Sequence, residues 1–189
     1  MRGAPTTLAG VGEDQAYETA LGALTGAQAE GDLRRVADAA LQLGHLNSVR
    51  EEYAAARHQY ELALHLYGQL GRGGELAETH YLLAGLLTDL GEWPGAHDHA
   101  QAALGLNPPA DREVEIRNLL AASYHATGES RKALTELEMI LASYRAWGSL
   151  LGQVNVGERL QSDRLGSVLG QRTAEVVPVA AHRERGSAD

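Results

Sequence analysis

Cysteine is absent from the 189 residues. Its absence removes disulfide frameworks, thiolate zinc sites, iron–sulfur clusters and cysteine nucleophiles in one step. Phenylalanine is missing too, isoleucine occurs twice, and a single lysine, Lys132, stands beside 15 arginines. With strand-favouring residues this sparse, an all-β fold is excluded and an α/β fold disfavoured. Long hydrophobic runs are also lacking: the longest, Tyr81 to Leu87, falls far short of the ~20 residues that span a bilayer. Met1 to Gly12 holds no apolar stretch suited to a secretion signal, so a soluble cytoplasmic protein without a membrane partner is expected. Positive charge is scarce. The net charge of -9 repels a phosphate backbone and argues against nucleic acid as a main partner.

Alanine (31 residues) and leucine (29) are abundant. Together with Glu, Arg and Gln they are strong helix formers, so the expected class is all-α. The bias toward Ala and Arg fits a high-GC genome and carries no information on activity.

Internal periodicity organises the chain. A Leu-small pair recurs at Leu43-Gly44, Leu83-Ala84 and Leu120-Ala121, and a later alanine recurs at Ala56, Ala96 and Ala133. Both series step by 40 and then by 37 residues, as the numbering shows. Each unit reads as two helices. The stripe Leu82, Leu83, Leu86, Leu87, Leu90 stops at Gly91, Pro94 falls in the first turn of the next helix, and Asn107-Pro108-Pro109 closes it. Asp111 is expected to cap the following helix, and Thr127-Gly128-Glu129 to form its final turn. Two helices approach closely only where a side chain is missing. Gly44, Ala84 and Ala121 on first helices and Ala56, Ala96 and Ala133 on second helices are therefore read as notches, filled by Tyr53, Tyr60, Trp93 and Leu137. Alignment on Tyr53 places the first turn near Glu51.

These residues resemble the tetratricopeptide repeat, whose pattern is Trp-x2-Leu-Gly-x2-Tyr, then Ala-x3-Phe, then Pro over about 34 residues. Leu43-Gly44 matches the Leu-Gly pair, Ala56 with Tyr60 matches the Ala-x3-aromatic step, and Pro108 matches the closing proline. The leading Trp is replaced by Ala40, His80 and Arg117. The longer period is similar to the repeats of kinesin light chains and of bacterial sensor-regulators. The resemblance implies a right-handed superhelical solenoid of antiparallel helix pairs, binding peptides or protein segments without catalysis.

The expected organisation is a flexible N-terminus over 1–12 and a repeat domain over 13–146, with repeats at about 37–70, 77–110 and 114–146. One or two capping helices are expected over 147–173, and a flexible tail over 174–189. A helix from Glu13 to Glu30, broken at Gly31-Asp32, is expected to dock as the N-terminal cap.

The resemblance further implies that the first helix of each pair lines a concave groove. Its exposed positions would be Asp38, Leu41 and His45, then Glu78, Tyr81, Leu82 and Asp89, then Glu115, Asn118 and His125. This surface is acidic and apolar, and the Lys/Arg/Asn cluster with which chaperone-binding relatives hold a carboxylate is missing. A partner segment with apolar and basic residues is expected. Val176 to Arg185 has that character, and is a candidate for occupying the groove of its own or a neighbouring molecule. A sensor module taking a small ligand or signalling peptide and acting through a partner protein is the alternative. Self-association through an exposed solenoid end is a further expectation.

No nucleophile–base set, phosphate loop or cofactor motif is legible, so no enzyme, cofactor or metal is expected. His97 and His99 point apart on their helix, whereas His58, Glu61 and His65 share a face without the doubled motif of helical metal sites. His80 is expected in packing.

Overall fold

The computed structural model describes residues 8–149 and 152–163; Val176–Arg185 and the rest of the expected tail lie outside the described residues. Those residues form eight helices and no strand: α1 (Leu8–Glu30), α2 (Leu33–Val49), α3 (Tyr53–Gln69), α4 (Gly73–Asp89), α5 (Trp93–Gly105), α6 (Ala110–Ala126), α7 (Ser130–Ala146) and α8 (152–163). The chain divides into two compact units, Met1–Ser123 and Tyr124–Asp189, whose boundary falls inside α6.

The helix ends follow from local chemistry. Gly31, Gly71 and Gly91 adopt φ near +70°, as do Gly128 and Gly148 further along. At each, the residue after the glycine donates its N–H five residues back, as Arg72 does to the Tyr67 carbonyl at 3.0 Å. This arrangement satisfies carbonyls that a helix end leaves open. Glu51 takes the same left-handed conformation at φ 60 without being glycine, and Glu52 N–H closes the turn onto the Asn47 carbonyl at 2.8 Å. Turns at 31, 51, 71 and 91 are thus spaced by one helix plus its connection. The repeat step shortens afterwards because α5 has only 13 residues, and it ends where Asn107 reaches φ 53 ahead of Pro108 and Pro109.

Two expected helix starts shift. α1 opens at Leu8 rather than Glu13, so part of the stretch expected to be flexible is helical. Gly10 and Gly12 lower helix propensity there without breaking the hydrogen-bond register. Asp111 does not cap α6, which begins one residue earlier at Ala110. It sits in the first turn instead, where its charge still suits the positive helix end. Asp32 does cap α2, its Oδ1 accepting from the N–H groups of Arg34 and Arg35 at 3.1 Å each.

In the first unit, α1 to α4 each pack on the next helix in the chain, and α2 also touches α4. Ala27, Ala37, Ala40, Leu43, Ala63 and Tyr67 are buried together where α1, α2 and α3 meet. Between α2 and α3 the approach is closest at Gly44. A Cβ placed there would lie 2.5 Å from Tyr60 Cδ1, so the tyrosine ring fills the space a side chain would need. Ala56, Ala84, Ala96 and Ala121 are buried as well. Arg50, stacked 4.4 Å over the Tyr17 ring and paired with Asp14, fastens the end of α2 to α1. In the second unit, Tyr124, Ala133, Leu137, Ile140, Val156 and Leu160 are buried, and Lys132 Nζ lies 5.1 Å over the Tyr124 ring.

Candidate functional site

The first unit contains a cavity of about 660 Å³. Ala16 and Ala20 of α1 form one wall, and Leu41, Gln42, His45 and Leu46 of α2 another. Glu78, Tyr81 and Leu82 of α4 close the third side, with Arg112 of α6 at the rim. The small side chains of α1 are what leave the volume open. Five of the ten residues named as groove-lining from the sequence meet here: Leu41, His45, Glu78, Tyr81 and Leu82.

The other five are placed elsewhere. Asp38 faces α3, where it accepts a hydrogen bond from the Tyr67 hydroxyl at 2.8 Å. Asp89 is exposed at the last turn of α4. Asn118 donates from Nδ2 to the Val114 carbonyl of its own helix at 3.0 Å. Glu115 is absent from the cavity wall but ion-paired to Arg112. His125 belongs to the second unit, its Nδ1 3.1 Å from Asp163 Oδ1 of α8.

Arg112 changes the electrostatics expected of this surface. Its guanidinium grips Glu78 with two prongs, Nε to Oε2 at 2.9 Å and Nη2 to Oε1 at 3.0 Å. Nη1 pairs with Glu115, and the group lies 4.3 Å over the Tyr81 ring. Partial burial works against the charged guanidinium, but Glu78 and Glu115 outweigh it and hold its pKa above the usual value. Burial, reinforced by Glu115, pushes the Tyr81 hydroxyl up. The two carboxylates are therefore already bridged by a cation, and the surface is less acidic than its first helices alone imply. One guanidinium between two carboxylates leaves a single net negative charge.

The sequence reading missed Arg112 because it weighed only the helix face expected in the groove. A signal for it existed: Arg72-x2-Glu75 and Arg112-x2-Glu115 repeat one another forty positions apart, and both pairs form ion pairs. Ala16 and Ala20 carry no such mark.

A second cluster joins α4 to α5. His80 Nδ1 and His99 Nδ1 lie 2.9 Å apart with ring centroids 5.1 Å apart. The centroid distance is close to that of two rings pointing nitrogen to nitrogen, the geometry of one N–H donating to one bare nitrogen. Burial lowers the pKa of both rings; His99 adds to this at His80, while at His99 Asp98 and Glu61 oppose it and Arg57 adds to it. Among the described residues, no three His, Cys, Asp or Glu side chains are grouped to hold a metal ion. His65 Nε2 instead lies 3.0 Å from Gln69 Nε2. No helix among the described residues is long and apolar enough to cross a membrane.

No protein-family model matches the chain. No curated protein matches it. Among solved structures, the crystal structure of BtubC (BKLC) from P. vanneervenii aligns over 94% of this chain and 96% of its own, at 16% identity and a TM-score of 0.39. That score is too low to transfer a fold or a function.

Proposed function

We propose that the chain is a non-catalytic bacterial adaptor of the tetratricopeptide type, a right-handed helical-repeat solenoid. Its groove receives a partner segment carrying apolar and basic residues. The supporting observation is the cavity itself: Leu41 and Gln42 of α2 meet Tyr81 and Leu82 of α4, positions that the repeat step of 40 makes equivalent, with His45 and Glu78 beside them. Leu41, Leu46, Leu82 and the two α1 alanines offer an apolar anchor point, and the net negative charge at the Glu78–Arg112–Glu115 cluster orients a basic neighbour. A photoreactive amino acid placed at Leu82 should capture one defined protein from native extract, and Ala20→Leu, which fills the cavity, should abolish capture. Capture that persists in Ala20→Leu rejects the site.

The second reading is a sensor module for a small ligand or signalling peptide, acting through a partner protein in the cytoplasm. The volume favours it, since about 660 Å³ lies within the roughly 300–1,000 Å³ of small-molecule sites. A metabolite screen by thermal shift separates the readings: a ligand that stabilises the wild type but not Ala20→Leu supports the sensor.

A further inference from the structure

The geometry points to Arg112 as an internal competitor for the docking cavity, occupying the place that a partner's basic side chain takes on binding. This deepens the groove reading and rests on it. Around the guanidinium are the three elements that recognise a cation on an arginine side chain: a two-pronged carboxylate, Glu78, a second carboxylate, Glu115, and an aromatic face, Tyr81. Planar guanidinium against planar carboxylate is the arrangement in which arginine binds best. The chain therefore presents a complete cation receptor at the rim of an apolar cavity, filled from within by its own α6.

The plug is held loosely enough to leave. The side chains of Arg112 and Glu78 are 31% and 34% exposed and that of Glu115 is 51% exposed. Groups this open to water can exchange partners without leaving a charge buried and unpaired. Arg112 also sits in the first turn of α6, where the positive end of the helix disfavours a cation. Exchange of Arg112 for a partner's arginine conserves the contacts at Glu78, Glu115 and Tyr81, while the partner's neighbouring apolar residue gains the cavity. The resident arginine thereby raises the threshold for binding. It discriminates against a basic residue that has no apolar neighbour, because such a ligand gains nothing from the exchange.

The test uses the full chain and two probes, N-acetyl-Leu-Arg-amide and its neutral isostere N-acetyl-Leu-citrulline-amide, titrated by calorimetry and by NMR of the tyrosine rings. Arg112→Ala should bind the arginine probe about tenfold more tightly than the wild type, the order expected when a state favoured by one decade is removed. The citrulline probe should change little, and adding Glu78→Gln should cancel the gain. Arg112→Gln gives the same comparison with the side-chain bulk retained, should the alanine variant fail to fold. Unchanged or weaker binding of the arginine probe in both variants makes Arg112 part of the receptor and overturns the proposal. An equal gain for both probes also overturns it, because enlargement of the cavity then accounts for the effect. If neither probe binds any form, the docking cavity falls together with the competitor.

Discussion

Gly44 and the Tyr60 ring share one volume: any side chain at position 44 would start 2.5 Å from Cδ1 and 2.6 Å from Cε1 of the tyrosine. The contact brings two helix backbones together around an aromatic ring that is 1% exposed. Two effects compete in Gly44→Ala. Alanine is favoured over glycine within a helix by roughly 0.5–1 kcal/mol, whereas overpacking a filled core costs about 1–3 kcal/mol. Tyr60 is walled in, so overpacking wins. Gly44→Ala should lower the melting temperature, and Gly44→Ala with Tyr60→Leu should recover part of the loss; a single variant as stable as the wild type would contradict the packing.

Glu51 makes the opposite case. It holds a left-handed conformation that costs a residue with a Cβ about 1–2 kcal/mol. Glu51→Gly should therefore raise the melting temperature by a few degrees, since about 1 kcal/mol corresponds to roughly 2–4 °C in a chain of this size. Differential scanning calorimetry measures it. A decrease would show that the turn is not left-handed in solution.

The paired imidazoles give acid sensitivity. Burial depresses both His80 and His99, so the unfolded chain takes up protons near the ordinary pKa of about 6.5 that the folded pair refuses. Stability from this pair is present above that pH and is lost as pH falls through it and on through the depressed folded values. The urea midpoint of the wild type should decline between neutral and mildly acidic pH, and His99→Phe should show a flatter decline. Parallel curves would remove the pair from the titration.

The alkaline side is set by buried tyrosines. Tyr60 is pushed up to about 12 by burial and by Glu78, and Tyr67 is raised by burial and by its hydrogen bond to Asp38. Folded values above the unfolded one mean that stability is intact below about pH 10 and fails as pH rises beyond it. Difference absorbance should show these two hydroxyls ionising only as the helices melt. Tyr67→Phe should remove one of them and cost about 1 kcal/mol for the lost hydrogen bond.

How much of this was legible in the sequence depended on whether the cause was local. The stops at Gly91 and Gly128 and the start at Pro94 were readable because one residue's backbone preference decides them. The turn at Glu51 emerged only from alignment on Tyr53, since glutamate does not announce a left-handed conformation. Repeat spacing marked Gly44 as a notch and Tyr60 as a filler, but the match between the two came only from the structure. Arg112 was lost for a different reason. Its importance comes from Glu78, thirty-four residues earlier, and from the face of Tyr81, and no helical period links those positions. Asp38 misled in the same way: on its own helix it looks solvated, and only α3 supplies the Tyr67 hydroxyl that engages it.

The even interval between the turns at 31, 51, 71 and 91 gives α2, α3 and α4 the same length of 17 residues and the same kind of end. Excising residues 52–91 would join equivalent left-handed corners, with each new seam meeting the kind of helix end it met before. The backbone corner survives such an excision, but Tyr60 goes with it, and the notch at Gly44 loses the ring that fills it. Among the described residues the interval breaks at Asn107, where a shortened helix resets the count just before Arg112.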